Sequence, residues 1–293
     1  MSAEKRHVDE PTGVETTGHV WDGIRELDNP LPRWWLYIFY ATILWALVYV
    51  ILYPAIPLVR QATPGLLGYS TREVVEADLK RVMESRAELD DKIASMSLED
   101  IAHDPTLLDY AQRSGASSFK LVCVQCHGSG ATGSEELGYP NLNDDAWLWG
   151  GTRDAIFTTI SHGVRNADDP DARTSIMPAF GTMGMLNRQQ INDVADYVLS
   201  LSGAEHDEAA AAEGAPIFAA QCAVCHGAGG EGNTALGAPR LSDPIWLYGG
   251  THEAIVAQVT SPRLGVMPSW KNYFDDATRK KLALYVHSLG GGQ

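Results

Sequence analysis

The feature that most constrains this chain is a pentapeptide that occurs twice. Cys123-Val-Gln-Cys126-His127 and Cys222-Ala-Val-Cys225-His226 lie 99 positions apart and use all four cysteines of the 293-residue sequence. The same offset relates Gly115 and Phe119 to Gly214 and Phe218, and Leu137, Gly138, Pro140 and Leu142 to Leu236, Gly237, Pro239 and Leu241. Over Leu142–Ile160 and Leu241–Val259, nine of nineteen residues are identical, including a Trp-Leu-x-Gly-Gly-Thr core. The offset then falls to 90, so that Met177-Pro178 matches Met267-Pro268, and to 88 near the ends, where Tyr197-Val198 matches Tyr285-Val286. The first copy therefore carries about nine extra residues, in the Asp- and Arg-rich stretch Arg165–Thr174. Such a pattern is a tandem duplication of one small domain rather than a solenoid array.

The spacing C-x-x-C-H is the attachment signature of c-type haem. Two thiols three residues apart add to the two vinyl groups of one porphyrin, and the following histidine lies under the iron. Cys123, Cys126, Cys222 and Cys225 are thus the covalent attachment residues for two haem c groups, with His127 and His226 as proximal ligands. Zinc would need further Cys or paired His ligands, and no cysteine is left over. The sixth ligand follows by elimination. The second repeat contains a single methionine, Met267, and of Met177, Met183 and Met185 in the first only Met177 aligns with it. Met177 and Met267 are therefore the distal ligands, but the repeat pattern does not say whether each caps the haem of its own repeat or that of the other. His/Met ligation raises the haem potential and fills the sixth site, which describes an electron carrier and argues against a di-haem peroxidase. Trp147 and Trp246 are repeated and could either donate indole N–H to haem propionates or pack as cavity wall. His162 has no partner in the second copy and reads as a surface or propionate-side residue.

Residues 34–53, WWLYIFYATILWALVYVILY, carry no charge, and the next is Arg60. At about 1.5 Å per residue the segment spans roughly 30 Å, the thickness of a hydrocarbon core, with aromatic residues at both ends. It begins too late for a signal peptide and reads as a single uncleaved anchor. Lys and Arg near its ends tie, with a slight lean to an inside N-terminus from Lys5 and Arg6. Covalent haem attachment outside the bacterial cytoplasm breaks the tie: N-terminus cytoplasmic, haem domains periplasmic.

The expected organisation is mainly α: a cytoplasmic tail (1–33) with little order, the transmembrane anchor (34–53), a periplasmic helical connector (54–103), a class I-like cytochrome c domain (104–203), a linker (204–213) and a second such domain (214–293). In the connector, Ser70-Thr71-Arg72-Glu73 is a capping-box pattern. It opens a helix of roughly 25 residues with an apolar stripe at Val75, Leu79, Val82, Leu89, Ile93 and Met96. Asp104-Pro105 starts another helix. Asn187–Leu201 and Ala277–Leu289 show helical spacing, and Gly115 and Gly214 would permit close crossing with these final helices near Tyr197 and Tyr285. The Gly-rich middle of each repeat leaves no room for a sheet. A net charge of −15 speaks against nucleic-acid binding, which needs clustered Lys and Arg, and favours a basic protein partner.

The chain also resembles the di-haem subunits, CcoP or FixP, of cbb3-type cytochrome c oxidases. The resemblance is carried by Val20–Ile24 and Asn29–Trp35 before the anchor, Gly68–Arg72, both CxxCH motifs, Ile245–Gly250 and the end Tyr285–Gly292. It covers nearly the whole chain from about residue 17, although some members of the family have two N-terminal spans. It implies an electron-transfer subunit that is no enzyme on its own, within a proton-pumping terminal oxidase of the bacterial inner membrane. Electrons would come from a donor cytochrome c and pass through the two haems to the mono-haem subunit, then to the haem–copper catalytic subunit. The residues alone reach only a membrane-anchored periplasmic di-haem carrier, which could equally be a free carrier or a dehydrogenase cytochrome subunit.

Overall fold

A computed structural model describes residues 7–292. The chain divides between Glu84 and Ser85 into two compact units. The first begins with a hairpin of β1 (Thr16–Trp21) and β2 (Ile24–Leu27), paired antiparallel with Trp21 opposite Ile24. Its two-residue turn, Asp22-Gly23, has positive φ at both positions (50° and 86°), the geometry that matches the twist of paired strands and favours Asp-Gly. Residues 16–27 thus correct the expectation of an unordered tail; Lys5 and Arg6 lie outside the described residues.

Helix α1 (Arg33–Leu52) follows within one residue of the expected anchor, and none of its residues is buried. A helix that is apolar all round and unburied suits lipid. After it, the chain folds back, so that Leu66 N–H donates to Ile51 O (2.9 Å) and Leu67 N–H to Leu52 O (3.0 Å), satisfying two of the carbonyls a helix end leaves open. Helix α2 (Thr71–Ser95) opens with Glu73 N–H donating to Ser70 Oγ (3.3 Å). The first half of its stripe, Val75, Leu79 and Val82, is exposed, whereas Leu89, Ile93 and Met96 pack into a core.

That core belongs to the second unit, which is helical apart from isolated bridges. Its elements are α3 (Leu98–His103), α4 (Pro105–Val122), α5 (Val124–His127), α6 (Arg153–His162), α7 (Arg188–Ser202), α8 (Glu208–Gln221), α9 (Ala223–His226), α10 (His252–Thr260) and α11 (Asp276–His287). Local signals fix the ends. Asp104 accepts from Thr106 and Leu107 N–H (2.9 and 3.1 Å) at the start of α4. Asn187 and Gln190 form a capping box on α7, and Gly203 ends it in the left-handed conformation, as expected for these residues.

The packing does not follow the sequence repeats. Helix α11, from the second repeat, packs on α4 and α6 of the first; α7, from the first repeat, packs on α8 and α10 of the second. Two cores result. Lobe A buries Phe119, Ile156 and Ile160 with Leu282, Leu284 and Val286. Lobe B buries Val194, Val198 and Leu199 with Phe218, Ile255 and Val259. Each lobe thus takes its CxxCH half from one repeat and its Met-Pro and final helix from the other. The two crossing glycines show why a Cβ is excluded: one on Gly115 would run into the Lys281 carbonyl, and one on Gly214 into the Asp193 carbonyl. The close crossings expected near Tyr197 and Tyr285 therefore exist, with partners traded between repeats.

Candidate functional site

In both repeats the CxxCH residues lie where a long helix passes into a short one. Cys123 closes α4 in right-handed helical geometry and opens α5; Cys222 does the same between α8 and α9. Helical backbone at that point puts residues i, i+3 and i+4 on one face, which gathers Cys123, Cys126 and His127 on one wall. None of the four cysteines is paired in a disulfide, which leaves each available for haem attachment. Burial pushes the unattached Cys123 and Cys222 thiols up to about 11, which shows how far these two positions are withdrawn from water.

The loop after each motif orients the histidine. Gly133 N–H donates to His127 O (2.9 Å), and Gly232 N–H to His226 O (2.7 Å). His127 Nδ1 lies 3.2 Å from Pro140 O, and His226 Nδ1 3.0 Å from Pro239 O. A carbonyl only accepts, so Nδ1 carries the proton and Nε2 is left with the lone pair a metal needs. Burial lowers the pKa of both imidazoles and so favours the neutral ring, with the carbonyl contact acting in the opposite direction.

In lobe A these residues line one cavity. Its walls include Phe119, Cys123, Cys126, His127, Leu142 and Ile160 of the first repeat, with Met267, Trp270, Leu282 and Val286 of the second. The only Asp, Glu, Lys or Arg side chain among its lining residues is Arg165, held by its own Nε to Gly265 O (2.7 Å) and Nη1 to Ser175 O (3.3 Å). An apolar slot with a thiol pair, an imidazole offering Nε2, a thioether and one cation fits a c-type haem, which is apolar except for two propionates. In lobe B, Met177 packs into the core containing Cys222, Ala223, Phe218 and Trp246. Met183 and Met185 are exposed, at 66% and 49%.

Other residues fall elsewhere than a propionate role would put them. Trp147 lines the cavity but its Nε1–H donates to Gly291 O, so it serves as wall and as a tether for the C-terminal end. His162 Nδ1 faces Asp169 Oδ2 at 3.2 Å. His252 Nε2 lies 3.2 Å from Asp196. Arg165 and Asp169 were not singled out by sequence, because both stand in the insertion with no counterpart to align. Two aromatic rings also went unread: Trp149 and Tyr248, equivalent by the 99-residue offset, both line the lobe A cavity. A Cβ on Gly138 would strike the Tyr248 ring, and one on Gly237 the Trp149 ring. Arg173 lies over Trp149 (5.5 Å) and Arg263 over Tyr248 (4.6 Å).

Fold and site together define a membrane protein with two haem c groups built on tandem cytochrome c repeats. Three family models match in sequence: the N-terminal domain of cytochrome oxidase-cbb3, FixP, over residues 13–60; cytochrome c over residues 112–202; and cytochrome c oxidase, cbb3-type, subunit III over residues 209–286. The chain is 52% identical over 283 residues to the cbb3-type cytochrome c oxidase subunit CcoP of Cereibacter sphaeroides, covering 97% of each. It is 50% identical over 293 residues to the FixP subunit of Sinorhizobium medicae, covering both completely, and 49% identical to CcoP of Azospirillum brasilense over 99% of each. The chain belongs to the CcoP/FixP family of cbb3-type cytochrome c oxidase subunits, and its role is electron transfer within that oxidase.

Proposed function

We propose that this chain holds its two haems by crossed ligation and relays electrons between a donor cytochrome c and the other redox subunits of the oxidase. One haem is bound by Cys123 and Cys126, with His127 and Met267 on its iron; the other by Cys222 and Cys225, with His226 and Met177. The observation that carries this reading is that Met267 lines the same cavity as Cys123, Cys126 and His127; the grouping of Met177 with Cys222 in the other core supports the second pair. When bound, each haem supplies a one-electron couple whose potential His/Met ligation raises. The residues of the chain do the rest. The thiols anchor, Pro140 and Pro239 fix the imidazoles, and the apolar walls exclude water. Arg165 offers a cation for a propionate.

Electrons from a donor cytochrome c pass through the chain to the mono-haem subunit and on to the haem–copper subunit. The acidic balance of the chain, −15 overall, supports attraction of a basic donor. Haem attachment outside the cytoplasm supports an inner-membrane orientation with the N-terminus cytoplasmic and both lobes periplasmic. Along the sequence the chain runs as tail 1–33, anchor 34–53, connector 54–103, first repeat 104–203, linker 204–213 and second repeat 214–293. Proton translocation by the complex would fall to other subunits, since α1 carries no acidic, Lys or His side chain and proton pathways run on such groups inside the membrane.

The test removes one haem and then asks which methionine serves the other. In the double variant Cys123→Ala/Cys126→Ala only the haem of the second motif remains. Adding Met177→Ala should abolish the remaining near-infrared Fe–S(Met) band, while adding Met267→Ala should leave it. The reverse result would establish ligation within each repeat.

A further inference from the structure

The two Met-Pro loops are held very differently. We propose that Asp169 is a positioning residue for Met267: its buried carboxylate clamps the segment after Met267 to α6 and so sets the sulfur–iron bond of the haem at Cys123–His127. The proposal rests on the crossed-ligation reading above.

The Asp169 side chain is 1% exposed and is surrounded by donors. Lys271 Nζ donates to Oδ1 (2.8 Å) and Asp171 N–H to Oδ1 (3.0 Å), His162 Nδ1 lies 3.2 Å from Oδ2, and the one Ser269 Oγ–H is shared between Oδ2 (2.9 Å) and Ser161 O on α6 (2.7 Å). Two of these donors, Ser269 and Lys271, stand two and four residues beyond Met267. The same segment is tied to the end of α6 through its backbone. Met267 and Val164 exchange both N–H···O bonds at 3.0 Å, Trp270 N–H donates to Ile160 O (3.1 Å) and Lys271 N–H to Ser161 O (3.2 Å). Gly163 permits the approach, because a Cβ there would strike the Met267 carbonyl.

His162, Asp169 and Asp171 together have the look of a cation site. The Lys271 ammonium lies among them, 2.8 Å from Asp169 and 3.8 Å from Asp171, and supplies that positive charge. A buried carboxylate with an ammonium and a hydroxyl on it is rigid, because releasing any member leaves a charge or donor unpaired. Groups bonded directly to a metal ligand commonly cost about 10–100-fold in affinity or activity when removed; Asp169 acts one step further out, through the segment that carries Met267.

The Met177 loop has neither half of this device. At the 90-residue offset Ala179 stands where Ser269 does and Gly181 where Lys271 does. The acceptor is missing too, since Asp169 sits in the insertion that only the first repeat carries. Donors and acceptor are thus present together for one methionine and absent together for the other.

The experiment compares Asp169→Ala, Asp169→Asn, Lys271→Met and Asp171→Asn in the full-length, haem-loaded protein, reading the near-infrared Fe–S(Met) absorbance and a redox titration, with Met267→Ala alongside. Asp171→Asn is the control, its side chain being 68% exposed and beyond 3.5 Å from both His162 and Lys271. Expected are two covalent haems in every variant. The Asp169 and Lys271 variants should show a loss of up to half the Fe–S(Met) absorbance and a lower potential for one redox component, the same component that Met267→Ala moves. Asp169→Glu should restore part of both. The clamp is overturned if Asp169→Ala and Lys271→Met leave band and potentials as in the wild type, or shift both haems alike. If Met267→Ala itself leaves both bands in place, it is the ligand reading that has failed.

Discussion

Lobe A and lobe B are assembled from equivalent halves of one duplicated sequence, yet they are reinforced unequally. The long helices of lobe B are α7, α8 and α10. Lobe A adds the end of α2 and all of α3, whose Ile93, Leu98 and Ile101 join its core. Its final helix is also pinned by charge. Lys281 Nζ reaches Asp90 at 2.8 Å, and Lys280 Nζ donates to the carbonyls of Ala94 and Met96 at 2.8 Å each, capping the open end of α2. With the Asp169 clamp, these additions all fall on the lobe that holds Met267. The duplicated halves offer two equivalent sites, and the connector and the insertion brace one of them more firmly.

The comparison breaks most decisively if the halves are not truly exchanged. Residues 85–203 produced alone contain the first CxxCH motif but neither α11 nor Met267. They should fail to give a stable lobe and should show no native Fe–S(Met) band, whereas the same segment made together with residues 204–293 should recover both. Near-infrared absorbance and thermal unfolding of the purified species decide it. A stable six-coordinate lobe from the isolated segment would mean that repeats fold on their own.

A smaller effect sharpens the assignment of each helix to its lobe. Gly115→Ala forces a methyl group against the Lys281 backbone, and Gly214→Ala one against Asp193. Overpacking at such contacts costs typically about 1–3 kcal/mol. Gly115→Ala should therefore destabilise lobe A and disturb the haem served by Met267, and Gly214→Ala the haem served by Met177. Denaturant unfolding followed at each haem separates the two; a Gly115→Ala effect confined to the Met177 haem would contradict the exchange.

Smaller still is the loss of the Lys281–Asp90 pair. Lys281 is 9% exposed but Asp90 36%, so the carboxylate would regain water when its partner goes. The cost of Lys281→Met should lie between the ~0.2–1 kcal/mol of exposed pairs and the ~3–5 kcal/mol of buried ones, about 1–2 kcal/mol. It should appear in lobe A only, as an earlier midpoint in denaturant.

Much of this architecture is legible in the sequence because its signals are local. The CxxCH spacing, the Asn187 capping box, the Asp104-Pro105 start and the apolar run of α1 each act within a few residues. The exchange is not legible, for an equally physical reason: in a tandem duplication the final helix of either repeat offers nearly the same apolar face, so repeat alignment cannot tell which partner it takes. Asp169 escaped because it has no counterpart to align, and because Ser269 and Lys271 stand 100 and 102 positions further on, in the other repeat, where only the exchange brings them together. The Asp22-Gly23 hairpin turn was likewise present, but composition drew the reading of that tail toward disorder.

The smallest expected effect is a difference in acid sensitivity between lobes. Lys271, donating to Asp169, holds that carboxyl well below its ordinary range, with Ser269 and the Asp171 amide acting in the same direction against the effect of burial. A carboxyl depressed on folding binds fewer protons in the native state than in the unfolded one, so stability rises with pH through that window. Its contribution is therefore complete above the unfolded carboxyl pKa of about 3.9 and is lost as the pH falls from there toward the folded value. The Met177 loop carries Ala179 and Gly181 where the Met267 loop carries Ser269 and Lys271. On acidification below about pH 4 the Fe–S(Met) absorbance of the Met267 haem should decline with a steeper pH dependence in the wild type than in Asp169→Asn. The Met177 haem should titrate identically in both proteins. Equal slopes for the Met267 haem in wild type and variant would show that the Asp169–Lys271 contact does not hold that lobe together.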